Sequence, residues 1–445
     1  MAIVEHRAVR GATVDERGNE QEDGVVREWP DRGPWGNIFN KLLCVLAVAG
    51  IGLSVWAFVM EFIDLRDRGE SRERITAACG GLIDPDPVLG LNGDGIDRVK
   101  LDDDYEISTD EPYSGCVVYR VGDPGTTYGH FSMAIERFTV APDAEEAERL
   151  GTEVDEESSG PLRSAVRDGS RSATPTVRHA PPHPLGDGGL GEYDEYGVTA
   201  RAICENGGKV SSIEATAVAQ YDEPVTSGDR RTLAGLARQA ADRAAGRTGC
   251  SAGLPELPST LAEPKLELGP ATKAGGTCAW YRRFTAEQGR GQLPDRALGG
   301  PAGKASAHDA CVLAVGDEEI RRIWPIYAKT AKDPVDLREV LEYHDWWVKT
   351  ETYVGDRARG LRSNDILEPT ALAPGAAGTD SEGVWWASSV CGGRPAVHVM
   401  WMPYPYDGIV RDRLEALFRA YVDDATDRRG CTDVVFPDAA DFARS

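Results

Sequence analysis

From Leu42 to Met60 the chain reads LLCVLAVAGIGLSVWAFVM, nineteen residues with no charge and with Ser54 as the sole conventional polar side chain. About 20 apolar residues in a helix cross a hydrocarbon core of about 30 Å. This run limits the fold more than any other feature, because a helix with no polar face is not the amphipathic helix of a soluble core. Trp35 and Trp56 lie near its two ends, where amphipathic aromatics favour the membrane interface. A cleaved signal peptide is the competing reading. It would need a short basic start and a small-residue cleavage site, whereas about 40 largely polar residues precede this run and bulky Phe62, Ile63 and Leu65 follow it. The same bulky surroundings argue against Cys44 as a lipoprotein cysteine. The expectation is a retained transmembrane helix over 37–63, meeting the lipid bilayer through 42–60. Residues 1–36, with eight acidic and five basic side chains, read as a disordered cytoplasmic tail. Residues 64–78 read as a juxtamembrane linker.

Flanking charge does not orient the helix. Arg27, Arg32 and Lys41 stand on one side and Arg66, Arg68, Arg72 and Arg74 on the other, so the positive-inside rule is undecided. Cysteines decide instead. Eight lie beyond the anchor: Cys79, Cys116, Cys204, Cys250, Cys278, Cys311, Cys391 and Cys431. An even number without C-x-x-C spacing reads as disulfides rather than zinc ligands, and disulfides belong in oxidising compartments. The reading is a single-pass cell-membrane protein, its N-terminus cytoplasmic and its C-terminal domains extracellular.

The cysteine contexts recur. AIC(204)ENGGKVSSIEATAV, a polar break and RRTLAGLARQAADRAAGRTGC(250) match SVC(391)GGRPAVHVMWM, a break and VRDRLEALFRAYVDDATDRRGC(431). SGC(116)VVYRV is similar to GTC(278)AWYRRF, and AAC(79)GGLIDPDP to TGC(250)SAGLPELP. Self-similarity of this kind points to duplication. Leu233, Leu236, Ala237 and Ala240, then Leu414, Leu417, Phe418 and Tyr421, fall at i, i+3, i+4, i+7 and predict amphipathic helices. Val210–Val218 and Ala396–Met402 predict half-buried strands. The fold class expected is α+β: two tandem related domains, 79–250 and 251–437, each a mainly antiparallel sheet with packed helices. Residues 151–191 and 370–383 read as loops, and 438–445 as a frayed end. Equivalent placement favours Cys204 with Cys250 and Cys391 with Cys431, leaving Cys79 with Cys116 and Cys278 with Cys311. Other connectivities remain open, because sequence alone does not choose among them, and Cys311 has no clear counterpart in the first copy.

Chemistry-bearing motifs are scarce. With 73 acidic against 49 basic residues, the net charge of −24 gives an overall surface that repels phosphate backbones, so no nucleic-acid partner is expected. LNGDGID (91–97) imitates the middle of a calcium loop, but Gly90 and Leu101 stand where the outer ligands belong. A tight turn between strands is the better reading. In RHAPPHP, His179 and His183 have helical metal spacing, and Pro181 and Pro182 forbid the helix. His130, His308, His344 and His398 are isolated, the last in an apolar run that reads as core. No P-loop, no GxGxxG after a strand, no H-E-x-x-H and no G-x-S-x-G is found, so no catalytic, cofactor-binding or metal residues and no cofactor are assigned. Aromatics are the remaining lead. Trp346, Trp347, Trp385, Trp386, Trp401, Tyr404 and Tyr406 concentrate in the second copy. Adjacent tryptophans on a strand point to opposite faces, so one of each pair is a candidate contact aromatic for protein or glycan, although core packing accounts for most such residues.

A Cys-x-x-Leu start at Cys79 followed by a Cys-Val strand at Cys116, in a chain with 40 Arg and 9 Lys, resembles uncharacterised single-pass cell-envelope proteins of high-GC actinobacteria. That resemblance implies no catalytic residues. The expectation is therefore a membrane-anchored extracytoplasmic binding or scaffolding protein of the cell envelope, without intrinsic catalysis, that contacts an envelope protein or glycan. The alternatives are an envelope hydrolase using paired carboxylates such as Asp380 and Glu382, or an extracellular sensor module. A cleft with two facing acids would favour the hydrolase, and a flat aromatic patch the binding module.

Overall fold

A computed structural model of the chain describes residues 34–93, 95–102, 104–122, 125–140, 160–163, 175–205, 208–331, 334–343, 346–363, 370–380 and 383–443. The expected tail lies almost wholly outside the described residues. By its contacts the chain divides into Met1–Ile63 and Asp64–Ser445. Helix α1, Pro34–Ala78, holds the one described segment long and apolar enough to cross a membrane; its mean hydropathy reaches 2.5 and none of that stretch is buried by protein. The last turns of α1, expected as a linker, are helical and join the Asp64–Ser445 unit: Ile75 is fully buried in its core, and the Ser71 hydroxyl donates to the Asp97 carbonyl at 2.7 Å.

Two antiparallel sheets build the Asp64–Ser445 unit. The first contains β1 Val99–Leu101, β2 Tyr113–Val121, β3 Thr127–Thr139, β4 His183–Pro184, β5 Gly191–Tyr193, β6 Gly197–Ile203 and β7 Val210–Ala219, in the order β1-β2-β3-β7-β6-β5-β4. The second contains β8 Gly269–Pro270, β9 Arg296–Gly299, β10 His308–Ala314, β11 Trp347–Val354, β12 Gly378–Thr379, β13 Val384–Cys391, β14 Arg394–Trp401 and β15 Cys431–Val435. Its order is β12-β13-β14-β11-β10-β9-β8, with β15 paired to β13. At the centre of each sheet four strands lie in the same sequence-to-space order, first, second, fourth, third: β2-β3-β7-β6 and β10-β11-β14-β13.

A helix follows the fourth strand each time and covers the third and fourth. After the one-turn helix α2 (Pro85–Leu89) comes α3, Ser227–Arg247, which starts where the Thr226 hydroxyl accepts the Asp229 N–H at 3.1 Å. This N-cap satisfies a donor the helix cannot. Leu233, Leu236, Ala237 and Ala240 of α3 then bury against Val198, Ala200 and Ala202 of β6 and Ile213, Ala215 and Ala217 of β7. In the second half α4 (Ala279–Gln288), α5 (Asp317–Thr330), α6 (Leu337–Tyr343) and α7 (Tyr406–Val410) lead to α8, Leu414–Arg429. Leu414, Leu417, Phe418 and Tyr421 of α8 pack with Trp385, Ala387 and Met400 of the sheet. Gly430, at φ 65°, ends α8 in a left-handed conformation that a glycine adopts without steric cost, and turns Cys431 into β15 opposite Cys391.

The disulfides are Cys79–Cys116, Cys204–Cys250, Cys278–Cys311 and Cys391–Cys431, closing separations of 37, 46, 33 and 40 residues. Cys116 and Cys311 both lie on the first of the four central strands, so the positional counterpart of Cys311 is Cys116. The similarity of SGC(116)VVYRV to GTC(278)AWYRRF is accordingly not structural. The former is strand β2, and the latter enters α4, whose Trp280, Tyr281 and Phe284 are buried at helical spacing.

Two further expectations change. The segment 438–445 is helical over Ala439–Ala443 (α9), where Phe442 is buried with its ring 6.0 Å from that of Phe418. LNGDGID turns the chain from α2 into β1 rather than between strands, through Asn92 at φ 64° and Gly93 at φ 76°; Asp94 lies outside the described residues. Because Phe418 touches helix, sheet and α9 at once, Phe418→Ala is expected to lower unfolding free energy by about 3–5 kcal/mol. Tyr404→Ala, at an 85 % exposed side chain, is expected to change it by less than about 0.5 kcal/mol. Urea unfolding followed by tryptophan fluorescence distinguishes the two; equal effects would contradict this packing.

Candidate functional site

Each sheet spends one face on its helices, and the other faces meet. Strand alternation fixes which side chains enter that layer. From the first sheet come Glu192 of β5, Thr199 of β6 and Thr216 of β7, placed in one row by the pairings Glu192 with Thr199 and Thr199 with Thr216. The two threonine hydroxyls are 2.9 Å apart. From the second sheet come His308 and Ala310 of β10, Lys349 and Glu351 of β11 and Trp401 of β14. Between them lies a cleft of about 730 Å³, a volume typical of small-molecule sites. The segment 178–182, with Pro181 and Pro182, forms part of its wall.

His308 joins the two carboxylates. Its Nε2 lies 3.0 Å from Glu351 Oε1 and its Nδ1 3.8 Å from Glu192 Oε1, while its ring stacks on Tyr353 at 4.5 Å. Lys349 Nζ takes the other Glu351 oxygen at 3.0 Å. Burial works against a charged Glu351, but Lys349 and His308 outweigh it and hold the carboxyl down at about 2. Glu351 is thus an ionised, fully engaged anion at neutral pH. Glu192 differs. Its residue is 8 % exposed, and among the described residues Oε2 is buried without a hydrogen-bond partner in a cavity wall. A buried acceptor left unmade costs about 1–3 kcal/mol, more when charged, so this oxygen is set up to receive a donor.

The structure places the sequence candidates as follows. Adjacent tryptophans do face opposite ways: Trp346 and Trp385 enter the helix-side core, and Trp347, Trp386 and Trp401 the layer on the other face. Both faces are covered, however, because Leu162, Val177, Ala358, Leu361 and Leu372 pack over the second. Of the seven candidate contact aromatics, the five tryptophans and Tyr406 are buried, Trp401 among them in the cleft wall, and Tyr404 is exposed. His179 pairs with Glu195 at 3.2 Å, and His183 packs on Tyr193. No cluster that could hold a metal occurs among the described residues. His130 is buried against the Val88 carbonyl at 2.8 Å, and His344 lies outside the described residues. Asp380 accepts the Val384 N–H at 2.9 Å at the β12–β13 turn; Glu382, its proposed catalytic companion, lies outside the described residues.

One buried chain imitates a catalytic triad. Ser389 Oγ is 2.8 Å from His398 Nε2, and His398 Nδ1 is 3.1 Å from Thr352 Oγ1, which meets Tyr421 OH at 2.8 Å. Ser389 is 3 % exposed and His398 0 %, so no substrate reaches the hydroxyl. Burial, then Arg429 and Arg428, hold His398 down at about 3, hence neutral. This chain satisfies polar atoms in a core.

Sequence reasoning passed over Glu192, Lys349 and Glu351. WVKTETYV (347–354) did carry a signal: an apolar strand whose alternate positions hold Lys349, Glu351 and Tyr353 has charges on an inward face. No family model, curated protein or solved structure matches the chain. The depressed Glu351 pKa sets a pH dependence. Its folded value lies below the ordinary 4.5, so its contribution to stability is present above about pH 4.5 and is lost as pH falls towards about 2. Glu351→Gln is expected to flatten the fall of unfolding free energy across that window. An unchanged slope in acid denaturation curves would remove Glu351 from this role.

Proposed function

We propose that the chain is a membrane-anchored extracytoplasmic binding protein whose ligand site is the cleft between the two sheets. The observation that carries this reading is the buried, unpartnered Oε2 of Glu192 in a cavity of about 730 Å³. Such an oxygen selects a ligand that donates hydrogen bonds, an ammonium or a hydroxyl. Tyr193, Tyr196 and Trp401 in the same wall offer apolar ring surface, and a saccharide of the cell envelope presents donors and an apolar ring face together. Binding is favoured over hydrolysis by Glu351. Paired-carboxylate hydrolases need an ionised carboxylate free to attack or to activate water, and here both oxygens of Glu351 are taken, one by His308 and the other by Lys349.

Calorimetric titration of glucosamine, N-acetylglucosamine and glucose into the detergent-solubilised full chain tests this. Saturable binding of at least one is expected, weakened about tenfold or more in Glu192→Gln. Equal affinity in the variant would move the ligand elsewhere, and turnover of a glycoside would favour the hydrolase.

The topology proposed is N-terminus cytoplasmic and Asp64–Ser445 extracellular. It is supported by the apolar helix and by four disulfides, which persist in oxidising compartments. A membrane-impermeant thiol reagent on intact cells is expected to label the eight ectodomain cysteines only after reduction. Labelling without reduction would mean free thiols and overturn the disulfide frame; no labelling after reduction would overturn the orientation. The two halves are proposed to be related copies. Support comes from the shared first-second-fourth-third strand order, the helix after the fourth strand and equivalent disulfide positions.

A further inference from the structure

A second, smaller cavity of about 210 Å³ lies where the ends of β6 and β7 meet the turn after β11 and the β13–β14 turn. Its charge is opposite to that of the chain. Arg201, Arg357, Arg359 and Arg394 line it against Glu214 and Asp356, four cations to two anions, in a protein of net charge −24.

Both acids are already committed. Glu214 accepts from Arg201 Nε at 2.7 Å and from Arg357 Nε at 2.6 Å. Asp356 accepts from the Ser212 hydroxyl at 2.6 Å and from Arg359 Nη1 at 3.1 Å. What remains is donor capacity. Arg201 is 5 % exposed, and among the described residues its Nη2 is buried with no hydrogen-bond partner. Arg394 makes no ion pair among the described residues, and its side chain lies beside Gly355, whose φ is 75°. Burial, then the nearby Arg201 and Arg429 guanidiniums, press Arg394 below its ordinary pKa, with Asp356 opposing. A cation so placed gains by acquiring an anion.

We infer that this cavity binds a small tetrahedral oxyanion, a phosphate group, held by the free edges of Arg201 and Arg394. Guanidinium forks match phosphate oxygens in pairs. Glu136 and Glu192 also act on Arg357, so the unmatched donors on this side of the cavity are those of Arg201 and Arg394. The site is separate from the Glu192 cleft, and its ligand is of opposite charge.

The test uses the full chain in a maltoside detergent and a phosphate-free buffer. Inorganic phosphate, glycerol 3-phosphate and sodium chloride are titrated at matched ionic strength and read by calorimetry and melting temperature. Saturable binding and a raised melting temperature are expected with the phosphates and not with chloride. Arg394→Gln is expected to weaken phosphate binding about tenfold or more while leaving the phosphate-free melting temperature near the wild-type value, since no ion pair is lost. Arg394→Lys, which keeps the charge and loses the fork, is expected to fall between. Should Arg394→Gln fold poorly, Arg359→Gln at the half-exposed rim supplies the second variant, with the same direction of effect. Tighter binding of glycerol 3-phosphate would assign the group to a phosphorylated envelope molecule, and tighter binding of inorganic phosphate to the free ion. An equal response to chloride, or an undiminished response in folded Arg394 variants, would overturn the inference.

Discussion

A charged side chain taken from water costs several kcal/mol unless it is paired and hydrogen-bonded, and the layer between the two sheets holds many. Glu192, Glu214 and Glu351 are buried there, with Arg201, Arg357, Lys349 and His308 distributed so that pairs cross from sheet to sheet. Arg357, carried on the turn after β11, meets Glu214 of β7, and Glu136 of β3 and Glu192 of β5 also lie within its field. Neither half can present these carboxylates to the other without the matching cations. The layer therefore specifies how the sheets face, and each mismatch would leave a buried charge uncompensated.

The covalent frame contributes nothing to that facing. Every disulfide closes within one half, fixing a helix end to a strand or a helical turn to its first strand. Each reduces the freedom of the unfolded chain and secures the local sheet-and-helix unit. The halves are joined instead by the ionic layer, by the apolar patch of Val312, Trp347, Trp386 and Trp401 with Leu162 and Val177, and by backbone contact such as Val177 N–H to Leu266 carbonyl at 2.8 Å. Gly188 shows how close the approach is. With φ at 96°, a Cβ there would stand 2.3 Å from the Ser306 hydroxyl of the other half.

Local elements were legible because local forces produce them. The spacing of Leu233 to Ala240 and of Leu414 to Tyr421 encodes one buried helical stripe, and the apolar run at 42–60 encodes its own environment. Two things were not legible. GTC(278)AWYRRF imitates a strand in composition, yet Trp280, Tyr281 and Phe284 meet a core only as a helix. The paired tryptophans alternate as their sequence says, but whether a sheet's second face is wet depends on chain hundreds of residues away, here Leu162 and Val177. The cleft was hidden for the same reason. Glu192 and Glu351 are 159 positions apart, and only the facing of two sheets brings both to one histidine.

That facing also leaves polar remainders at this layer, beside others in the helix-side core such as the Nε1 groups of Trp280, Trp346 and Trp385. Within a sheet or helix, backbone geometry dictates which groups pair, and almost every donor finds an acceptor. Between two sheets built separately, only side chains match, and matching is incomplete at the ends: Glu192 Oε2 remains on the cleft side, and Arg201 Nη2 and the Arg394 guanidinium at the β13–β14 turn. A ligand that satisfies either remainder relieves a desolvation cost that the folded chain otherwise carries, and by linkage stabilises the folded form in which the sheets face each other. The two proposed sites, one seeking donors and the other an anion, are thus consequences of a single constraint, the joining of two complete sheets through charged side chains.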